Sequence, residues 1–167
     1  MGRRIGLIAV VVVVVAATQF ITAQTPPSLQ GAWRITEIVV TGDGASVNKT
    51  PQPGLFIFTK QHYSIVMLDA SSARKDFGTP ANPNKLTDAD KVARFEAWDV
   101  LTANSGTYTV KGSTLTTRPL VAKNPSVMTG PVQNREFKIE GSNLTLVAKS
   151  AAGQPVSQTT TKLTRIE

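Results

Sequence analysis

Alternating apolar and polar residues fill the chain from Trp33 onward and predict β-strands separated by short turns. The first run, 33–41, is rich in Ile, Val and Thr and ends at the turn signal Gly42-Asp43-Gly44. A strand period of two places Trp33, Ile35 and Glu37 on one face. If that face is the interior, the Glu37 carboxylate must be paired, hydrated or protonated, because an isolated buried charge is too costly.

Two apolar runs, 54–59 and 63–68, are joined by Lys60-Gln61 and predict a hairpin that is partly buried on both sides. One face is expected to carry Leu55, Ile57, Tyr63, Ile65 and Met67. The other face is expected to carry Phe56, Phe58, Val66 and Leu68. Such a two-sided pattern suits a wall with a core or cavity inside and a covering element outside.

One helix is expected to interrupt the strands. Thr87 is a good N-cap and Asp90 stands at the reciprocal capping position. Apolar residues then recur at spacings of three and four at Val92, Phe95, Ala97, Trp98 and Leu101. The pattern predicts a helix from about Asp88 to Ala103, ended by Asn104-Ser105-Gly106, which covers either an open barrel end or an outer flank.

The C-terminal half consists almost wholly of hairpins. Runs 107–110 and 114–117 flank one Gly-containing turn, and runs 136–140 and 144–148 flank another. A last strand ends near Ile166. About eight sequential strands predict a mainly β fold, an antiparallel up-and-down barrel with one inserted helix, because closure removes exposed strand edges.

The N-terminus has the three-part layout of a secretory signal peptide. Arg3 and Arg4 precede the apolar run 5–17, and a more polar stretch leads to a cleavage position just after Ala23. We assign residues 1–24 to the signal peptide, 25–30 to a linker and 31–167 to the barrel domain, and expect a periplasmic or secreted protein. The alternative is an uncleaved anchor, but the run has 13 residues and a spanning helix needs about 20.

Composition narrows the possible chemistry. The formal charge of +7 falls to +5 without Arg3 and Arg4, and the basic residues are scattered singly. Nucleic-acid binding is therefore not expected, since it needs a concentrated basic stripe. The absence of cysteine excludes disulfides, thiol catalysis and thiolate metal sites. His62 is the only histidine and is expected to be a polar residue beside a hairpin turn. We assign no catalytic residue, metal or cofactor.

Gly31-Ala32-Trp33 resembles the Gly-x-Trp signature that opens the first strand of lipocalins and related calycin barrels. The resemblance implies that Trp33 lies at the closed end of a barrel under an Arg from the last strand, for which this chain offers Arg165. Gly31, Trp33 and Arg165 are therefore expected to close the barrel structurally.

A narrower resemblance is to the bacterial lipocalin-like domain family. It rests on the stretches 53–59 and 103–108, on Asn124-Pro125 with Gly130 and Arg135, and on 141–146. Members often carry a His on the strand after the Tyr hairpin, where this chain reads Thr116-Thr117-Arg118, so no role of that His is carried over. The resemblance implies a small barrel of mostly uncharacterised role.

A barrel of about eight strands can be hollow or filled. In the hollow case, a small hydrophobic or amphipathic molecule would be held by apolar walls and a few oriented polar groups. The expected ligand-binding residues are Glu37, Phe56, Phe58, Tyr63, Ile65, Met67, Tyr108, Leu115, Arg118 and Arg135. In the filled case, the barrel would contain one internal ion pair.

The sequence thus favours an exported binding protein without nucleic-acid partners or stable membrane insertion after signal cleavage. Two alternatives remain. One is a barrel isomerase or cyclase acting on a hydrophobic substrate, with Glu37, Tyr63 or His62 as a proton relay. The other is a solid-barrel envelope protein without a ligand.

Overall fold

The computed structural model describes residues 28–70 and 72–167, apart from the Pro83 side chain, so the predicted signal peptide lies outside the described residues. The strands and helices, in chain order, are β1 Gly31–Gly42, β2 Ser46–Asn48, β3 Gly54–Phe58, β4 His62–Leu68, α1 Asp88–Asp99, β5 Leu101–Lys111, β6 Thr114–Ala122, α2 Ser126–Thr129, β7 Gln133–Glu140, β8 Asn143–Lys149 and β9 Ser157–Arg165. A single 3-10 turn, Pro83–Lys85, precedes α1.

The sheet closes on itself. Each barrel strand pairs antiparallel with the next, and β1 pairs with both β3 and β9. The short strand β2 pairs only with the far part of β1 and stands outside this ring. The predicted mainly β, up-and-down barrel of eight strands with an inserted helix is therefore confirmed, while β2 and α2 were not predicted.

The predicted faces of the β3–β4 hairpin are wrong for β3. Phe58 pairs with Tyr63 and Phe56 pairs with Ile65, so even positions of β3 share a face with odd positions of β4. Phe56, Phe58, Tyr63 and Ile65 are buried, whereas Leu55 and Ile57 are exposed. The turn sets the register of the hairpin, and a shift of one residue in that register moves every side chain of a strand to the opposite face.

A β-bulge in β1 overturns the predicted position of Glu37. Ile35 pairs with Leu163, but Glu37 pairs with Lys162, so Thr36 is an extra residue in β1. The interior alternation therefore continues at Ile38 rather than at Glu37, because a bulge shifts every later side chain by one position. Glu37 lies on the outer face, with its carboxylate 3.1 Å from the Lys162 ammonium.

Helix α1 begins where the sequence predicted and ends earlier. Thr87 caps it, and the reciprocal bond from the Thr87 amide to the Asp90 carboxylate completes a capping box. The helix ends at Asp99, however, and Leu101 already begins β5. The stretch Asn104-Ser105-Gly106 lies inside β5 and does not end the helix as predicted. Its backbone pairing with β4 and β6 outweighs the local turn preference.

The barrel is densely packed at one end. Its fully buried side chains include Trp33, Phe58, Leu115, Leu144 and Leu163. The loops that carry α1 and α2 connect strands at the opposite end. The apolar residues Val92, Phe95 and Trp98 of α1 are half exposed, so this helix contributes little to the core. Within the described residues, no helix combines the length and apolar character needed to cross a membrane.

Candidate functional site

A cavity of about 330 Å³ occupies the barrel between the packed end and the loops that carry the helices. Its lining comes from every barrel strand except β6, which places it inside the ring rather than on its surface. The volume is at the lower end of the roughly 300–1,000 Å³ usual for ligand pockets. The cavity therefore suits a compact molecule.

The cavity walls divide by chemistry. The apolar lining residues are contributed by β1, β3, β4 and β8: Ile38, Val40, Phe56, Ile65, Met67, Leu146 and Ala148. The polar lining residues belong to β5, β7 and β9 or directly follow β4: Asp69, Thr102, Asn104, Arg135, Thr159 and Thr161. This mixture of a broad apolar wall with a few polar groups is typical of small-molecule sites.

Arg135 anchors the polar wall. Its Nη1 donates to the Thr117 hydroxyl at 3.2 Å, and its Nη2 donates to the Gln133 side-chain carbonyl at 2.9 Å. Nearby, the Tyr63 hydroxyl donates to the Asn104 side-chain carbonyl at 2.8 Å. Side chains from four strands thus hold a guanidinium and a phenol against the apolar interior.

The barrel wall is split beside Arg135. Strand β7 pairs with β6 from Gln133 to Glu136, but it pairs with β8 only from Glu136 to Glu140. An outer groove of about 850 Å³ lies along this split and shares Arg135 and Ala148 with the interior cavity. The groove is larger but more open to solvent, so the interior cavity is the better candidate site. The split provides a lateral opening to the guanidinium.

Burial raises the pKa of the Tyr63 phenol, and the Thr117 hydroxyl and the Arg135 charge partly oppose that rise. Burial also lowers the pKa of Arg135, and the electrostatic interaction with Tyr63 opposes part of that decrease. The phenol is therefore neutral at ordinary pH and does not neutralise the guanidinium, which stays charged in proteins.

A tyrosinate absorbance titration should detect this environment directly, because the chain has only two tyrosines. Burial raises the pKa of both Tyr63 and Tyr108 above the usual 10.0. The folded protein is expected to form tyrosinate at higher pH than the urea-unfolded chain. Since the fold favours the neutral phenols, their stabilising contribution is complete below pH 10 and is lost as the pH rises through the folded-state values. Coincident folded and unfolded titration curves would contradict this.

The predicted ligand-binding residues are only partly brought together. Four of them line the cavity, namely Phe56, Ile65, Met67 and Arg135, and Tyr63 contacts its wall through Asn104. Phe58 and Leu115 are instead buried in the packed end.

The other three lie away from the cavity. The Tyr108 hydroxyl donates to the Thr59 carbonyl at 2.7 Å beside the β3–β4 turn. Arg118 is exposed, and Glu37 is on the outer face. The structure also separates the three residues suggested as a proton relay, because His62 is exposed beside the hairpin turn while only Tyr63 approaches the interior. No group of three potential metal ligands occurs among the described residues.

Several cavity residues were not predicted from the sequence, including Ile38, Val40, Asn104, Thr159 and Thr161. A strict period of two from Trp33 places Ile38 and Val40 on the face opposite Glu37, and the bulge at Thr36 that reverses this has no clear sequence signal. Asn104 was read as part of a helix stop. Thr159 and Thr161 share the period-two alternation with buried Leu163, and that alternation was the available signal.

The closed end has the arrangement that the Gly-x-Trp resemblance implied. The Arg165 guanidinium lies 4.1 Å from the Trp33 ring centre and donates to the carbonyls of Ser28 and Gln30. The Trp33 indole donates to the Leu29 carbonyl at 2.9 Å. Gly31 has a φ of 127°, and a side chain there would meet the Glu167 carbonyl and the Arg165 guanidinium.

Among the comparisons with known proteins, the match to a family model agrees with this architecture. A comparison with curated protein sequences finds no match. Among solved structures, the chain is similar to an uncharacterized protein from Bacteroides eggerthii DSM 20697, with 8% identity and a TM-score of 0.44, covering 83% of this chain and 99% of that one. The family model described as a lipocalin-like domain matches residues 30–165, nearly the whole barrel. The chain therefore belongs to the lipocalin-like domain family.

Proposed function

We propose that this protein is an exported binding protein that holds a small apolar or amphipathic molecule inside its barrel. The observation that carries the proposal is the interior cavity of about 330 Å³, with a broad apolar wall and a small polar cluster. Burial of an apolar ligand surface would contribute roughly 25 cal/mol per Å² removed from water. The polar cluster would orient the ligand, and no covalent step is involved.

Binding is preferred to catalysis because the candidate relay groups do not converge. A general base must come within hydrogen-bond reach of the proton that it removes. Glu37 pairs with Lys162 on the outer face, and His62 is exposed. A fully solid barrel is also disfavoured, since the fully buried side chains pack one end and the core residues Phe56, Ile65 and Leu146 line a cavity beyond it.

The test uses 1-aminoanthracene, a neutral apolar dye that fluoresces when it is removed from water. Saturable binding with one dye per chain is expected. Thr159→Phe should reduce the affinity about tenfold or more, because Thr159 lines the cavity and a phenyl ring would occupy ligand space. Thr160→Phe is the matched control, since Thr160 is the next residue of β9 and has its side chain on the opposite face.

The two variants separate interior from surface binding. An equal loss of dye affinity in both variants would exclude the interior as the dye site. So would an unchanged dye affinity in Thr159→Phe whose fold is intact by circular dichroism. Absence of saturable binding to the natural protein would overturn the proposal.

Export is tested by expressing the full chain in bacteria and sequencing the N-terminus of the product. The protein should be recovered from the periplasm or the medium, with an N-terminal sequence that starts just after Ala23.

A further inference from the structure

The hydrogen-bonding capacity of Arg135 is only partly used. A guanidinium has five N–H donors and no acceptor. Two hydrogen bonds are formed, to Thr117 and to Gln133, and both acceptors are neutral oxygens. Among the residues that the structure describes, the remaining three N–H groups have no acceptor.

The charge of Arg135 also lacks a carboxylate partner in the described part of the chain. Asp69 lines the same cavity but forms no ion pair with Arg135. The adjacent Glu136 lies on the outer face, where its carboxylate is 3.4 Å from the Lys149 ammonium across the split in the wall. A partly buried cation without a counter-charge is unfavourable, and an anionic ligand would remove that cost.

We propose that the ligand is an amphipathic monocarboxylate whose carboxylate binds Arg135 and whose apolar part fills the cavity. This inference rests on the proposed function. A guanidinium matches a carboxylate through two parallel hydrogen bonds. A single negative charge is specified because Arg135 is the one cation that lines the cavity within the described residues, and the Asp69 carboxylate would oppose further negative charge.

The position of Arg135 fits both parts of such a ligand. It faces the apolar residues of the interior cavity and also the outer groove at the split between β7 and β8. The carboxylate could therefore remain partly hydrated while the apolar chain is enclosed. This reduces the desolvation cost that usually limits buried ion pairs. The Tyr63 hydroxyl and the Asn104 amide add polar contacts on the same wall.

The experiment compares octanoate, octanol and octyl phosphate by calorimetric titration of the natural mature protein. Octanoate and octanol share an apolar chain and differ in the headgroup, so their ratio isolates the charge. Octanoate is expected to bind about 10- to 100-fold more tightly than octanol, as hydrogen bonds to charged groups predict. Octyl phosphate should bind more weakly than octanoate, because Asp69 lines the cavity and Lys149, the other cation of the outer groove, is already paired with Glu136.

Arg135→Met tests the residue itself. It should remove most of the octanoate advantage and leave octanol binding nearly unchanged, since the apolar wall is intact. If that variant does not fold, the natural protein still decides the question: octanoate affinity should fall when the pH is lowered through the pKa of octanoic acid, while octanol affinity should not.

The outcomes distinguish the two proposals. Octanol binding as tightly as octanoate, with no effect of Arg135→Met, would overturn the monocarboxylate and leave interior binding in place. Tighter binding of octyl phosphate than of octanoate would overturn the choice of a single charge. Failure of octanoate, octanol and 1-aminoanthracene to bind would overturn both proposals.

Discussion

Replacing Trp33 with Ala is expected to lower the free energy of unfolding by about 3–5 kcal/mol, the range for large aromatic side chains removed from a packed core. The Trp33 side chain is fully buried among residues from several strands. Its indole N–H also ties the Leu29 carbonyl to the closed end, and Arg165 stacks over its ring. The loss therefore combines a cavity, a hydrogen bond and a cation–π contact. Urea unfolding followed by circular dichroism measures it.

The chain provides its own control, because it has only two tryptophans. Trp98 lies on α1 with 47% of its surface exposed and the Lys123 ammonium 4.4 Å from its ring centre. Trp98→Ala should cost about 1 kcal/mol or less. Equal destabilisation by the two substitutions would refute a structural role for the closed end. Trp33→Ala should also leave dye selectivity unchanged in the fraction that remains folded.

Gly106→Ala is expected to destabilise the protein by about 3 kcal/mol or more, at the upper end for forced overpacking. Strand β6 bulges where Gly106 pairs with Pro119, and it passes very close to β5 at that point. A methyl group on Gly106 would collide with the Arg118 carbonyl and would lie 2.8 Å from the Leu120 nitrogen. These are backbone atoms, so relief requires moving a strand rather than rotating a side chain.

Gly112→Ala is the matched control for Gly106→Ala. Gly112 has a φ of 58° and open space around its Cβ direction. The substitution there costs only left-handed backbone strain, about 1 kcal/mol. Comparison of urea midpoints for the two variants separates collision from strain. A Gly106→Ala variant as stable as Gly112→Ala would mean that β6 can move aside freely.

Local sequence signals were sufficient for most of the barrel strands and for the start of α1. Alternation predicted the strands, because a strand buried on one face must repeat every two residues. The start of α1 followed from Thr87 and Asp90, since a capping box involves only neighbouring residues. Trp33 and Arg165 were paired through a family resemblance, although they lie 132 positions apart in the sequence.

The candidate site was less predictable because it depends on register and on pairing between distant strands. Glu37 and Ile38 exchange faces because of one extra residue, Thr36, and this bulge is apparent only from the pairing of β1 with β9. The local sequence around Gly106 is typical of a helix end, but in the fold the absence of a side chain at Gly106 allows the backbone of β6 to pass close to β5.

Alternation along the chain therefore predicted the strands, since burying one face of each strand requires that pattern whatever the neighbours are. The number of sequential strands then pointed to an antiparallel barrel. The interior cavity was decided by the closed sheet. Its lining is assembled from residues as far apart as Ile38 and Thr161. The burial and hydrogen bonding of Arg135 likewise depend on groups that other strands place near it. Burial and electrostatics are properties of the assembled neighbourhood, which no single segment encodes.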